Sequence, residues 1–306
     1  MSAHITVIGE ALIDIVSAAG REPVEHVGGS PTNVAIGLAR LGHPTTLVTQ
    51  LGPDERGRRI ATLCASERVE LAPGSMTAHH TSTALAEIDA LGNAHYVFDF
   101  SFDLPAGLGS PTPGHVHTGS IAATAPGGHA NIAKRLANVR EVATVSYDPN
   151  ARPALMGTPI EARAMVEELI ALCDVVKASD EDVDWLYPDK QLPDVLRHWA
   201  TLGPRLVVAT RGAEGALILV GDTLHELPAL RTAVADTVGA GDSFMSGLIS
   251  GLLDADLLGG PEARARLRAA TWPIVQPAIE RARRTSSITV SRPGSNPPTR
   301  EDLDRG

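Results

Sequence analysis

The segment DTVGAGDSFMSGLISGL, residues 236–252, constrains this chain most: a glycine-rich turn runs directly into an apolar helix. Gly239 and Gly241 carry no side chain, so the backbone N–H groups from Gly239 to Asp242 can converge on an anion at the helix mouth. Phe244, Met245, Leu248, Ile249 and Leu252 follow helical spacing. Gly247 and Gly251, one turn apart, leave room for a second element to pack closely. Asp242 places a carboxylate beside a turn built for anions, and the positive end of the helix offsets part of the repulsion. Read alone, Asp242 is either the helix cap or a proton acceptor for phosphoryl transfer, with the turn taking up the developing charge.

Around this segment the chain alternates short β-branched strands with helical spans, the pattern of a mostly parallel sheet covered on both faces. Strands are expected at 4–8, 45–51, 115–121, 142–148, 174–179, 205–212 and 215–221. Helices are expected at 54–68, 128–138, 160–172, 180–187 and 193–202. GGSPTNVAIGLARLG, residues 28–42, is a punctuated helix, with Ser30 as its N-cap, Pro31 at its first position and Gly42 as its stop. Two runs, STALAEID (82–89) and AHYVFDF (94–100), interrupt the alternation as a hairpin through Leu91-Gly92-Asn93. With residues 12–27, split by a turn at Ala19-Gly20, they form a small separate β subdomain. Near the end, Pro273 and Pro277 predict a kinked or divided helix, and SITVSRPG predicts a closing strand and turn. In a parallel sheet ligands bind beyond the carboxyl ends of the strands, which singles out Asp148, Asn150, Lys177, Ser179, Thr210 and Gly212.

Composition removes several function classes. With 26 Lys+Arg against 36 Asp+Glu and no basic block, no nucleic-acid partner is expected. Cys64 and Cys173 sit in apolar stretches, as buried thiols rather than a disulfide. No membrane-spanning run or leader is evident, so a cytoplasmic enzyme is expected. None of the three lysines follows a glycine, so there is no Walker A loop, and Phe244 stands where a dinucleotide fingerprint needs its third glycine. His115 and His117 share one strand face, but no metalloenzyme motif accompanies them.

Residues 28–42 and 236–252 resemble the two signatures of the ribokinase-like (PfkB) carbohydrate kinases, and YDPNARP (147–153) and TRGAEGA (210–216) resemble segments that lie between them. The similarity extends over nearly the whole chain and is strongest to bacterial fructokinases. It implies a single domain, residues 1–306, with a three-layer α/β/α fold and a discontinuous β lid from about 12–27 and 82–100. It implies ATP-dependent phosphorylation of a primary hydroxyl of a small sugar, with fructose first. A ribokinase, a 2-keto-3-deoxygluconate kinase and a nucleoside kinase are alternatives of the same chemistry, and a catalytically silent sugar-binding partner is one of another class. Asp242 would be the base, and Gly239, Ala240 and Gly241 the anion hole. Asp14, Gly29 and Asn33 would hold sugar hydroxyls, with Asn150 and Arg152 also on the substrate side. Ser179, Thr210, Gly212 and Gly215 would line the nucleotide.

Mg²⁺ would accompany ATP, and Asp236 would hold a monovalent cation such as K⁺ together with carbonyls near Val238 and 292–294. Where many relatives carry N-x-x-E, this chain has Ser179-Asp180-Glu181-Asp182, so Asp182 or Glu181 would serve the Mg²⁺ network. The free edges of the lid would pair two subunits as a homodimer.

Overall fold

The computed structural model describes residues 3–18, 22–88, 94–105, 108 and 113–305. The turns expected at Ala19-Gly20 and Leu91-Gly92-Asn93 lie outside the described residues. In chain order, β1 (Ile5–Ile8) is followed by β2 (Leu12–Ala18), β3 (Val24–Gly28), α1 (Ser30–Arg40), β4 (Thr45–Val48), α2 (Glu55–Ser66) and β5 (Val69–Leu71). Then come β6 (Thr83–Ile88), β7 (Ala94–Asp99), β8 (Gly114–Gly119), α3 (Gly128–Val139), β9 (Ala143–Asp148), α4 (Pro153–Met156) and α5 (Pro159–Ile170). β10 (Val175–Ser179), α6 (Asp180–Leu186), α7 (Leu192–Leu202), β11 (Leu206–Thr210), β12 (Ala216–Val220) and β13 (Thr223–Leu227) complete the strands. The chain ends in α8 (Ala240–Asp254), α9 (Pro261–Ala269), α10 (Trp272–Val290) and α11 (Arg300–Asp304).

Nine of these strands form one sheet in the order β13-β12-β11-β10-β9-β8-β1-β4-β5. From β5 to β11 all pairings are parallel, while β12 and β13 add antiparallel at one edge. The smaller sheet, β3-β2-β6-β7, is built from the two stretches that the sequence set apart, and joins them through a parallel β2–β6 pairing.

Period-two alternation sends successive strand residues to opposite faces, which divides the core in two. Val7, Val175, Leu206 and Val208 pack with Leu38, Ile60, Leu248 and Ile279 on one face. Val145, Tyr147, Val176 and Val207 pack with Ile132, Val166, Leu169 and Trp199 on the other. The result is a three-layer α/β/α arrangement.

Helix α8 is buried nearly all round, between the sheet, α1 and α10. Its glycines explain the fit, since a Cβ at Gly247 would lie 2.2 Å from Thr285 Oγ1, and one at Gly251 would lie 2.5 Å from Ala278 Cα. Thr285 and Thr289 of α10 then donate to Ser243 O at 2.9 Å and to Ser243 Oγ at 2.7 Å. These bonds correct one expectation: SITV is the last turn of α10, not a strand, because Thr289 is needed one helical turn after Thr285 to reach α8. The proline-bearing span is divided as expected, with Pro273 in the first turn of α10, though α10 then runs on through Pro277.

Candidate active site

The site gathers where the parallel strands end and α8 begins. Gly239 is the N-cap of α8 in left-handed conformation (φ 76°), and a Cβ there would lie 2.2 Å from Ser295 Oγ. Asp236 braces this turn: one carboxylate oxygen accepts from Val238 N at 3.0 Å and the other from Gly294 N at 2.9 Å. Those two backbone bonds hold its carboxyl below the ordinary range. Asp236 therefore joins the two turns that the sequence reading named as a cation shell.

Asp242 is not the helix cap, since no side chain caps α8. Its carboxylate, 9% exposed, reaches instead to the start of α1. Ser30 Oγ donates to Oδ1 at 2.6 Å and Asn33 Nδ2 donates to Oδ2 at 2.7 Å. Two expectations change with this. The N-cap of α1 is Gly29, not Ser30, which is the first helical residue with its hydroxyl turned to Asp242. Asn33, expected on sugar hydroxyls, is bonded to the carboxylate at position 242. Gly29 has φ 100°, and a Cβ there would lie 2.5 Å from Glu10 O, so only glycine lets α1 begin this close to the end of β1.

Asp14 lies across β2–β3 from His26, with its carboxylate folded over Gly28, where a Cβ would lie 1.9 Å from Oδ2. Burial pushes its carboxyl above the ordinary value; Arg152 and His26 oppose this, and Asp242 adds to it. Among the described residues no hydrogen bond satisfies Asp14, so a desolvated acceptor faces the same space as Asp242 and Arg152. Arg152 Nη1 is held by Asn150 Oδ1 at 2.8 Å and by Asn150 O and Ala151 O at 3.1 and 2.9 Å. Asn150 is itself in positive φ (38°), pinned by its N–H to Asp148 Oδ1 at 3.2 Å. Glu10 is buried behind this group, accepts from Ala122 N at 3.0 Å, and has its carboxyl raised by burial.

Beneath the turn, Lys177 Nζ donates to Asp148 Oδ2 at 2.8 Å, with side chains 5% and 1% exposed. Burial pushes Asp148 up to about 6 against the pull of Lys177, and Asp182 and Asp242 raise it further. Asp182 has both oxygens engaged by backbone: Oδ1 accepts from Ala151 N at 2.7 Å and Oδ2 from Ser179 N at 2.9 Å. With Ser179 Oγ accepting from Asp182 N, this is a capping box that starts α6. Glu181 points to solvent. Thr210 ends β11 with its hydroxyl on Ala178 O at 3.3 Å, and Arg211 N to Gly215 O at 2.7 Å closes the 211–215 loop, with open space over Gly212.

A family model, pfkB family carbohydrate kinase, matches residues 2–302. The chain belongs to this family. It is 33% identical to a fructokinase of Rhizobium leguminosarum bv. trifolii over 265 residues, 82% of this chain and 80% of that one. A fructokinase of Klebsiella pneumoniae is 31% identical over 261 residues, 82% and 85% of the two chains. Among solved structures, a fructokinase double mutant of Vibrio cholerae O395 in fructose-, ADP- and potassium-bound form superposes with a TM-score of 0.79 at 23% identity, over 96% of this chain and 95% of that one.

Within this carbohydrate kinase, the histidine pair is structural. His115 and His117 both lie against Ser146 Oγ, at 2.8 and 2.9 Å, and His115 also meets Thr144 Oγ1 at 2.9 Å. Burial holds both imidazoles well below their ordinary range, His117 to about 3. Among the described residues no group of three or more His, Cys, Asp or Glu could hold a metal, and no helix is long and apolar enough to cross a membrane. Sequence reasoning missed Ser30 as a partner of Asp242, and missed Glu10. Ser30 carried a signal: it precedes Asn33 by one helical turn, so whatever Asn33 faces, Ser30 faces too.

Proposed function

We propose that this carbohydrate kinase transfers the γ-phosphoryl of ATP to a primary hydroxyl of fructose. The observation that carries the reading is Asp242: at the mouth of a glycine-led helix, it is held by two donors from α1 instead of capping its own helix. With both oxygens accepting, it is oriented to take a hydroxyl proton, and the N–H groups of Gly239, Gly241 and Asp242 receive the charge that develops on the transferred group, whereas the Ala240 N–H, expected in the anion hole, is donated to Thr237 O at 3.2 Å. Asp14, desolvated and unpaired, is suited to accept from vicinal sugar hydroxyls, since leaving it unmatched is costly. Fructose is preferred because the curated relatives at 31% and 33% identity are fructokinases.

Thr210, Gly212, Gly215 and Ser179 line the nucleotide side in this reading. Among the described residues no group of three or more His, Cys, Asp or Glu could hold Mg²⁺, and Asp182 is occupied by backbone amides, so Mg²⁺ would be brought by the nucleotide and would supply neutralisation of phosphate charge. Asp236 suits a K⁺ site: each oxygen accepts one N–H and keeps lone pairs free beside both turns. The small sheet acts as a lid on the sugar, and its edges β3 and β7, with Val24, Tyr96 and Val97 exposed, offer pairing surfaces for a second copy.

The test is ADP release over a panel of fructose, ribose, 2-keto-3-deoxygluconate and adenosine, with Mg²⁺ present and K⁺ exchanged for tetramethylammonium. Fructose should exceed ribose and adenosine at least about tenfold in kcat/KM, roughly 1.4 kcal/mol, and K⁺ should stimulate. Equal turnover of ribose or adenosine contradicts the fructose assignment, and indifference to K⁺ contradicts the Asp236 assignment.

A further inference from the structure

Lys177 presents a buried cation immediately behind the first turn of α8. A Cβ on Gly241 would lie 3.0 Å from its Nζ, so the ammonium stands beside the Cβ side of the backbone that forms the anion turn. One of its three N–H donors goes to Asp148 Oδ2. Burial and the positive N-terminal end of α8 both work against a cation here, and Asp148, with Asp182 and Asp242, keeps the ammonium charged. Nor does the core require the pair: Val175 and Val208 surround it on the same face, and a buried ion pair replaced by apolar side chains of like volume is often neutral or stabilising. The arrangement makes sense if an anion is to arrive on the far side of Gly241.

Charge on the near side supports this. Asp148, Asp182 and Asp242 all act on Lys177, so three carboxylates lie within electrostatic reach of the ammonium behind the turn. Without the ammonium, no cation would stand between those carboxylates and the turn.

We infer that Lys177 is a positioning residue for phosphoryl transfer: anchored by Asp148, its ammonium supplies, through the Gly241 backbone, the positive field in which the transferred group's charge develops. A side chain at Gly241 would crowd that ammonium. The inference rests on the kinase reading above, and names an electrostatic support that this reading does not include.

The experiment compares Asp148→Asn, which keeps the cation, with Asp148→Asn/Lys177→Met, which removes both charges and leaves no unpaired buried ion. Melting temperatures establish that both fold, and Lys177→Gln in the Asp148→Asn background replaces the methionine variant if that one does not. At saturating ATP and fructose, the double variant should fall at least about 30-fold in kcat below Asp148→Asn, with fructose KM within about threefold. Calorimetry with ADP and with AMP-PNP gives an independent reading that needs no sugar turnover: the preference for AMP-PNP over ADP should shrink at least about fivefold. A kcat within threefold of Asp148→Asn, or an unchanged nucleotide preference, overturns the inference and leaves Lys177 as a structural partner of Asp148. Failure of the parent to turn over any sugar contradicts the kinase reading instead, and the nucleotide comparison still decides the role of Lys177.

Discussion

Ser30 Oγ donates to Asp242 Oδ1 at 2.6 Å, joining residues 212 apart in the chain. The bond fixes the carboxylate of one signature segment by the first helical residue of the other, so α1 sets the direction in which Asp242 faces. Ser30→Ala removes a charge-assisted hydrogen bond worth about 1–3 kcal/mol. Asn33 still holds the other oxygen. We expect kcat to fall about 5–20-fold while the melting temperature drops by only a few degrees. An unchanged kcat in a steady-state assay would show that Asp242 needs no orientation from α1.

Asp14→Asn separates sugar recognition from chemistry. Its carboxyl is raised by burial and has no protein partner among the described residues, so neutralising it should not lower stability. Fructose KM should rise at least about tenfold, since an asparagine amide offers one acceptor oxygen where the carboxylate offers two, whereas KM for ATP should stay within about threefold. An unchanged sugar KM would remove Asp14 from the site.

Acid should destabilise the protein before any carboxylate of ordinary pKa is protonated. Burial lowers His43 from 6.5 to about 4 and His117 to about 3, and lowers His115 in the same direction. Each folded-state value lies below the unfolded one, so the stability they contribute is complete above pH 6.5 and is lost as pH falls toward 4. Asp148 works in the opposite sense, because a carboxyl raised to about 6 favours the folded state as it protonates. Glu10 and Asp14, also raised by burial, act in the same sense as Asp148, and the three buried imidazoles outweigh these carboxyls, so stability falls between pH 7 and pH 5. Thermal melts should therefore fall across that interval, and a flat profile would contradict the burial of these imidazoles in neutral form.

Much of the architecture was legible because periodicity and glycine placement are local signals. The turn at 239–241, the α8 apolar face and the Gly247/Gly251 stripe lie in one short segment, and the stripe turned out to seat α10. The same local reading failed where a distant partner decides. Thr289, β-branched and strand-like, is helical because Ser243 waits one side chain away. Ser30, a natural cap, leaves that role to Gly29 because Asp242 is the better acceptor for its hydroxyl. Val69–Leu71 is too short for an alternation to register, and Thr223–Leu227 is an exposed edge strand whose antiparallel pairing nothing in a βα pattern announces. Asp182 belongs to the same lesson: its place where many relatives carry N-x-x-E suggested a metal network, while its two oxygens accept from the amides of Ser179 and Ala151.

The central claim is that Asp242 takes the hydroxyl proton, and Asp242→Asn tests it most directly. The substitution keeps size and shape but removes one negative charge and proton acceptance. An asparagine there can accept from Asn33 with its oxygen, but its NH₂ then faces the Ser30 hydroxyl, whose hydrogen loses its acceptor at a position 9% exposed, which should cost about 1–2 kcal/mol of stability. General-base catalysis is worth about 10²–10⁴-fold, roughly 3–5 kcal/mol of barrier. Measured at saturating ATP and fructose on protein shown to be folded, kcat should fall at least about 100-fold with fructose KM within several-fold, because in the proposed site Asp14 would still hold the sugar. A folded variant whose kcat stays within threefold of the parent would contradict the account, and would place the proton acceptor somewhere other than the mouth of α8.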